Sequence, residues 1–226
     1  MTPPAWRDSL RGRRPPGYNG TMRSASFATL RRFVGAPKNN GAPSPPEVEH
    51  CELCSVRLAP THRHLLEMAT RRIVCACDPC ALRFENVLQG KFKLIPRDAR
   101  PLPDFKMTDA EWEGLSLPIS LAFFFYDTAN NKMAAYYPSP AGATESLLPL
   151  TAWETLVATN PVLRQLQPDV ETLLVNRTND SREYFIAPID LCFELVGLIR
   201  VHWRGLSGGE EVWRAINGFF NRLKES

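Results

Sequence analysis

The chain has 226 residues, of which 44% are hydrophobic, and a formal net charge of +3 at pH 7. This length and apolar content suffice for one sizeable core, or for a core with a small appended module. No stretch of 18 uncharged apolar residues is present, which excludes a membrane-spanning helix.

The first 47 residues differ in composition from the rest. They contain eight Arg or Lys residues against Asp8 and Glu47, a net charge of +6, so the other 179 residues carry a net charge of −3. Pro, Gly, Ser and Arg dominate this segment, and such a mixture buries too little apolar surface to offset the entropy of ordering. Residues 1–47 are therefore predicted to be a flexible basic tail with a short amphipathic helix over residues 27–34. One arginine-rich flank is weak evidence for nucleic-acid binding, so nucleic acid is not the expected partner.

Two short cysteine pairs follow the tail, CELC at residues 51–54 and CDPC at residues 77–80. In a CxxC turn two thiolates converge on one ion while backbone N–H groups point at the sulfurs, and two such turns complete tetrahedral coordination. We therefore predict a zinc-ribbon module over residues 48–96. Its metal ligands are Cys51, Cys54, Cys77 and Cys80. A closed set of four thiolates leaves no position for a substrate, which indicates a structural ion.

The compartment in which the protein works decides whether the cysteines form disulfides or bind a metal. Disulfide frameworks belong to small secreted chains, and the N-terminus lacks a signal-peptide pattern, so we expect a cytoplasmic location and metal-bound thiolates. Zinc and iron both accept tetrahedral sulfur. Rubredoxin-type iron sites usually carry glycine just after each pair, whereas Ser55 and Ala81 stand at those places. Zn²⁺ is the expected metal, with iron as the alternative.

Further candidate ligands lie between the two pairs. Cys75 precedes Cys77 by two residues, so both would share one face of an extended segment. Cys75 could replace a ligand, exchange in during metal transfer, or be an ordinary buried thiol, which is the favoured interpretation. His62 and His64 could each supply a nitrogen, although a polar hairpin tip is the simpler interpretation. Cys75 and His64 are therefore candidates for extra or alternate metal ligands.

A proline cluster after the cysteine pairs marks a predicted domain boundary, and an α+β body over residues 104–224 follows it. The body opens with TDAE at residues 108–111, a capping box that begins a helix. The expected fold class is α+β: the small zinc-ribbon module, then a mostly antiparallel sheet of about four strands covered by C-terminal helices.

Four segments have the side chains and flanking turns of strands. They are residues 119–126, 132–137, 170–176 and 183–189. The Phe123–Phe125 triplet indicates that the first is central and buried on both faces. Asn130 and Asn131 predict a hairpin between the first two strands, which Pro138 would end.

The segment after this hairpin, residues 137–146, is predicted to be a rigid loop of small residues. Loops that leave a strand end often carry function. The candidate partner-binding residues in it are Pro138, Ser139, Pro140 and Gly142.

Helices are predicted to begin at Thr151, Asn160, Asp190 and Ser207, each with a capping residue or proline in its first turn. The last two carry apolar stripes at helical spacing. The stripes are Leu191, Leu195, Leu198, Ile199 and His202 in one, and Val212, Ile216, Phe219, Phe220 and Leu223 in the other. The glycine-rich segment 203–209 between them is predicted to be a helix-to-helix turn, and its Arg204 is a further candidate for partner binding.

The usual catalytic arrangements are missing from the sequence. It has no GxSxG elbow, no HExxH helix and no phosphate-binding glycine motif. Cys192 and His202 lie on one predicted helix, where a space-filling thiol and a core histidine are the simpler interpretations. These observations favour a non-enzymatic role.

Five stretches resemble an uncharacterised bacterial family that is encoded beside actinobacterial-type, oxygen-tolerant nickel-iron uptake hydrogenases. They are CELC at residues 51–54, HRHLL at 62–66, CACDPC at 75–80, YPSPAGATES at 137–146 and HWRGLSGG at 202–209. The resemblance covers about residues 50–222. It implies a role in hydrogenase production or assembly, with a hydrogenase subunit or maturation protein as the partner, and it implies no activity for any residue.

Three hypotheses follow from the sequence and the resemblance. In the first, which is favoured, the chain is a non-catalytic zinc-binding accessory or assembly protein for nickel-iron hydrogenase. In the second, it is a rubredoxin-like iron protein that carries electrons for the hydrogenase. In the third, the ribbon and the basic tail form a nucleic-acid-binding regulator.

Overall fold

The computed structural model describes residues 48–87, 90–146, 153–205 and 208–225, which belong to one compact unit, Glu47–Ser226. The expected tail over residues 1–47, its helix over residues 27–34, and the helix starts expected at Thr151 and Ser207 lie outside the described residues. No helix in the described ranges is both long enough and apolar enough to cross a membrane.

Residues 48–96, here called the cysteine module, contain a three-stranded antiparallel sheet and one helix. The elements are β1 (Arg63–Glu67), β2 (Arg72–Ala76), β3 (Phe92–Leu94) and α1 (Asp78–Val87), with strand order β2-β1-β3. Side chains alternate along β1, so Leu65 packs inside the module while Leu66 packs into the core of the body. Ile95 joins that core as well. The boundary predicted at the proline cluster therefore lies between two parts that share apolar contacts.

The body is built on a six-stranded sheet in which every neighbouring pair is antiparallel. Its strands are β4 (Arg100–Pro101), β5 (Leu121–Asp127), β6 (Lys132–Ser139), β7 (Gly142–Glu145), β8 (Glu171–Asn176) and β9 (Glu183–Pro188), in the order β4-β9-β8-β5-β6-β7. The four predicted strands form its centre. The expectation of about four strands is too low, because β4 and β7 add one short strand at each edge.

Residues 137–146 were expected to form a loop, and this expectation is wrong. The segment is the end of β6 followed by β7, and Pro138 pairs with Ala143 inside the sheet instead of ending a strand. A proline has no N–H to donate, and sheets accept it near their edges. The pairing of β6 with β5 ends at Tyr136, so Pro138 lies beyond that ladder and has a strand neighbour on one side only.

The central strand β5 is buried on both faces, as its composition predicts. Phe123 and Phe125 pack on one side against α4 (Ile189–His202) and α5 (Gly209–Glu225), whereas Phe124 packs on the other side. The second side is covered by α2 (Asp109–Gly114), α3 (Trp153–Thr159) and a 3-10 helix (Pro161–Gln165). Burying each phenylalanine contributes about 1.5–3 kcal/mol. The C-terminal helices thus cover one face of the sheet, and shorter helices cover the other.

The helix predictions are confirmed at α2 and α5. Thr108 accepts a hydrogen bond from the Glu111 backbone N–H, and the Glu111 carboxylate accepts one from the Thr108 N–H. All five residues of the α5 stripe are buried.

Two other helix predictions need correction. Asp190 does not cap α4, because the helix begins at Ile189 after Pro188 and Asp190 lies inside its first turn. The buried side of α4 is also rotated, so that Cys192 is buried in place of Leu191. The segment after Asn160 is a 3-10 helix and not an α-helix.

One fully buried carboxylate ties the two sheets together. Asp169 precedes β8, and its carboxylate accepts hydrogen bonds from Arg71 (2.7 Å) and Lys93 (2.6 Å) of the cysteine module. On the body side, the Thr128 backbone N–H (2.9 Å) and hydroxyl (2.8 Å) donate to it. Burial alone would raise the pKa of Asp169, but these hydrogen bonds outweigh burial and lower it to about 2.

We expect Asp169→Asn to destabilise the protein by about 2–4 kcal/mol at pH 7, because it removes the counter-charge of Lys93 and the nearer of the two carboxylates beside Arg71. Asparagine tolerates the φ of +69° at this position, so the change tests the charge and not the backbone. Urea unfolding measures the effect, with the exposed Asp104→Asn as the control.

The lowered pKa of Asp169 also predicts that the effect of this substitution on stability depends on pH. Because the folded-state pKa of Asp169 is about 2, below its ordinary value of 3.8, its stabilisation is present above pH 4 and is lost as the pH falls towards 2. The stability difference between wild type and Asp169→Asn should therefore shrink between pH 4 and pH 2. A difference that stays constant over this range would contradict the assignment.

The turn between α4 and α5 depends on Gly208. The Arg204 N–H donates to the Gly208 carbonyl (2.9 Å), and Gly208 has a φ of +88°. A Cβ at this residue would lie 2.8 Å from Cγ1 of Val212 and 3.3 Å from the Trp203 ring. The described residues of the link between α4 and α5 therefore agree with the predicted helix-to-helix turn, and Gly208 has no room for a side chain.

We expect Gly208→Ala to destabilise the protein by about 2–4 kcal/mol through backbone strain and overpacking. Gly218→Ala is the matched control. Gly218 lies within α5 and a Cβ there meets nothing within 4 Å, so the control should be neutral or stabilising by about 0.5–1 kcal/mol. Thermal unfolding compares the two variants, and equal melting temperatures would contradict this account of the turn.

Candidate metal centre

The first cysteine pair lies on a tight turn at the start of the cysteine module. The Ser55 N–H donates to the Cys51 carbonyl (2.7 Å), and the Cys51 N–H donates to the Val56 carbonyl (2.8 Å). Ser55 takes a φ of +63°, which folds the chain back after Cys54. The turn buries Cys51 and leaves Cys54 exposed.

The second pair lies where β2 leads into α1. Cys77 follows the last residue of β2, and Cys80 lies in the first turn of α1. The Ala81 N–H donates to the Cys77 carbonyl (2.9 Å), which closes the turn between the two cysteines. Both CxxC segments are therefore turns closed by backbone hydrogen bonds.

The two turns bring four sulfurs together. The sulfurs of Cys51, Cys54, Cys77 and Cys80 all lie within 4.8 Å of one another, and those of Cys54 and Cys77 are 3.7 Å apart. Zn–S bonds of 2.3 Å in a tetrahedron would place sulfurs about 3.8 Å apart. All six cysteines of the chain are described, and each of them is free. These four cysteines could bind a metal ion.

The surroundings of Cys51 favour a thiolate. Burial acts to raise its pKa, but the backbone N–H groups of Cys77, Leu53 and Cys54 donate to its sulfur and contribute to a pKa of about 6. Burial, together with hydrogen bonds to neighbouring thiols, raises the pKa of Cys80 to about 12. A negative charge on one of these four closely spaced sulfurs thus disfavours a negative charge on another. A cation that offsets this repulsion would hold the four as thiolates.

Cys75 lies outside this group of four. It forms a second group with His62 and His64, in which one ligand atom of each residue lies within 4.8 Å of the others. Burial, followed by the nearby carboxylates of Glu49 and Glu52, raises the pKa of Cys75. Cys75 and His64, the two expected extra or alternate ligands, therefore lie together, and His62 lies beside them.

Two acidic residues at these groups were not singled out as site residues from the sequence. Glu52, inside the first CxxC turn, accepts from the Cys75 N–H (2.8 Å), and its own N–H donates to the Cys75 carbonyl (2.9 Å). Asp190 is predicted only as a helix cap, yet it accepts from Nδ1 of His64 (2.6 Å) across 126 residues of sequence. No local pattern could reveal either contact, because both depend on tertiary pairing.

The candidate partner-binding residues lie in two places. Ser139, Pro140 and Gly142 form the β6–β7 turn, where the Ser139 hydroxyl bonds the Gly142 carbonyl (2.9 Å). Pro138 is buried in β6, and Arg204 is exposed in the turn before α5.

An apolar groove of about 300 Å³ lies near both places. Its lining includes Ile119, Leu121, Pro138, Ile199, Trp203 and Trp213. Pro138 and Trp203 come from two of the stretches that carry the family resemblance, so the fold brings these two stretches to one surface.

Cys192 differs from the cluster cysteines. It is fully buried in α4 beside the Thr172 hydroxyl (3.0 Å), and burial raises its pKa to about 12. Such a thiol is protonated at neutral pH and closed to substrates. It fills space in the core, as the sequence interpretation favoured.

Comparisons with known proteins place the chain in a family. The model described as "Family of unknown function (DUF5947)" matches residues 50–226, more than half of the chain, and the chain belongs to this family. No curated protein and no solved structure matches it.

We expect Cys54→Ser and Cys80→Ser each to weaken metal binding at the four-cysteine centre. The loss should exceed the roughly 10–100-fold that removal of an outer hydrogen bond costs, because a ligand itself is lost. Metal content after dialysis against competing chelators measures the affinity. Cys192→Ser is the matched control and should bind as wild type does, whereas equal loss in all three variants would contradict this ligand set.

Proposed function

We propose that the chain is a non-catalytic, zinc-binding accessory protein that acts in nickel-iron hydrogenase production by binding a hydrogenase subunit or maturation protein. The observation that carries this proposal is the closed set of four sulfurs. Four protein ligands fill a tetrahedral ion, so the ion has no position left for a substrate and serves to fix the surrounding chain.

The donor set supports zinc or iron. It contains sulfur alone, with no carboxylate or imidazole among the four atoms, and such sets suit zinc or iron and not magnesium or calcium. A bound ion would join the CxxC turn at residues 51–54 to the one at residues 77–80, and 22 residues of sequence lie between them. The surface formed by these segments would then be ordered by the metal.

The partner is proposed from the resemblance to proteins encoded beside nickel-iron hydrogenases. The groove formed by Pro138, Trp203 and their neighbours supports it as a docking surface. Trp213 in α5 is 36% exposed at this groove and Ile119 is 37% exposed. Exposed aromatic side chains that line an apolar depression are typical anchors in protein interfaces.

A rubredoxin-like role is the second candidate, and the position of Cys54 favours it. This cysteine is exposed while Cys51 is buried, so a bound iron would have one sulfur at the surface for electron transfer. The two candidates differ in the metal. Iron gives a visible thiolate-to-iron absorption band, and zinc gives a colourless protein, so metal analysis of the purified protein separates them.

We expect Trp213→Ser to reduce capture of hydrogenase subunits or maturation proteins from a hydrogenase-producing cell, since it removes the apolar anchor of the groove. The matched control is Leu82→Ser, a change of an exposed apolar residue that is 55% exposed on α1 and does not line the groove. The bound proteins are identified by mass spectrometry.

Gene deletion tests the function itself. Loss of the gene should lower hydrogenase activity and leave a subunit unprocessed, and wild-type or Leu82→Ser protein should restore both better than Trp213→Ser does. Normal activity and normal subunit processing in the deletion strain would overturn the proposal.

A further inference from the structure

The second group, His62, His64 and Cys75, arises from the pairing of β1 with β2. His64 lies directly opposite Cys75 in the register of these strands. His62 precedes His64 by two residues in extended chain, so both side chains lie on one face. The ring centroids of the two histidines are 4.8 Å apart in an edge-on arrangement. Antiparallel pairing therefore places two imidazoles and one thiol on a single patch.

His62 has a nitrogen with nothing to bind. Its side chain is only 7% exposed, and Nδ1 lies 3.0 Å from the Ala59 carbonyl and 3.5 Å from the Glu49 carboxylate. A carbonyl can only accept, so Nδ1 is the donor in this contact, and in the neutral imidazole Nε2 then has the lone pair. Nε2 is buried and has no hydrogen-bond partner in the described part of the chain. A buried polar atom without a partner is destabilising, and a bound ion would offset that cost.

His64 is held as metal-binding histidines are held. Its Nδ1 lies 2.6 Å from Oδ2 of Asp190, so Nδ1 donates to the carboxylate and Nε2 is left to bind. The other oxygen of Asp190 accepts from the Leu191 N–H (2.8 Å), which fixes the carboxylate. A carboxylate behind an imidazole sets the tautomer and raises the basicity of the ligating nitrogen.

Cys75 is positioned by its backbone. Its N–H and carbonyl are both bonded to Glu52, at 2.8 Å and 2.9 Å, and Arg72 forms an ion pair with the same Glu52 carboxylate. These contacts fix the strand that carries the Cys75 sulfur without using the sulfur. The third donor is thus held in place and chemically free.

We propose that His62, His64 and Cys75 form a second metal site, separate from the four-cysteine centre, for a transition-metal ion of borderline softness such as Zn²⁺. Two imidazole nitrogens and one thiolate suit ions of this class and not magnesium or calcium. Three protein ligands leave one position of a tetrahedral ion open, which is the arrangement of sites that exchange or activate a ligand and not of structural sites.

The surroundings give this open position access to small molecules. A cavity of about 420 Å³ is bordered by both histidines, Asp190, Arg97 and Arg222. The His64 side chain is 28% exposed, in contrast to that of His62. The first centre would therefore hold its ion permanently, and the second would hold one that water or a small ligand can reach.

Metal counting with Co²⁺ as the probe tests the proposal on the full-length protein. Wild type should bind two ions per chain, and the double variant His62→Ala/His64→Ala should bind one, with the four-thiolate spectrum unchanged. The converse variant, Cys54→Ser/Cys80→Ser, should keep one ion whose weaker thiolate-to-cobalt band disappears when Cys75→Ser is added. His202→Ala and Cys192→Ser are the matched controls and should bind two.

Cadmium NMR of the wild type makes the test independent of variant folding. Two resonances are expected, one typical of four sulfur ligands and one of mixed nitrogen and sulfur ligands. Asp190→Asn should weaken binding at the second site alone by about 10–100-fold, because it leaves all three ligands in place and removes the hydrogen bond behind His64. A single resonance in wild type, or two ions retained by the double histidine variant, would overturn the proposal. Neither result would bear on the four-cysteine centre.

Discussion

The structure depends on the buried carboxylate of Asp169. It accepts from two cations of the cysteine module and from Thr128 of the body, so a single charge holds the β1–β2 turn and β3 against the large sheet. An ion in such a place is costly unless every lone pair is used, and here both oxygens have two donors. Leu66 and Ile95 bury apolar surface across the same junction. The ionic contacts fix how the cysteine module is aligned on the body. The position of both candidate sites relative to the body follows from this junction.

The parts of the fold that the sequence predicts are those that depend on local pattern. The phenylalanine triplet of β5, the capping box at Thr108 and the stripe of α5 each contain their own signal, and each is found in place. Pro138 misleads because its usual effect, ending a strand, is cancelled by a neighbouring edge strand that the sequence does not reveal. Asp190 misleads for a similar reason, since it lies inside the first turn of α4 and one of its carboxylate oxygens bonds a histidine far away in sequence.

The two candidate sites also differ in how far local sequence predicts them. Four cysteines in two CxxC turns are recognisable because each turn is complete within four residues, and only their convergence remains to be shown. The grouping of His62, His64 and Cys75 needs the register of β1 against β2, which a shift of one residue would destroy. The sequence names these three residues individually but cannot join them, and it contains no trace of the unpartnered nitrogen of His62.

The order of these contacts along the chain has a consequence for biosynthesis. Cys54 and Cys77 meet across 23 residues, whereas Arg71 reaches Asp169 across 98. Closing the longer loop costs more entropy and requires residues that leave the ribosome much later. All four sulfurs have emerged before the first residue of β8 is translated. The nascent chain therefore presents a complete sulfur ligand set to cellular metal while most of the protein that will anchor it is still unmade.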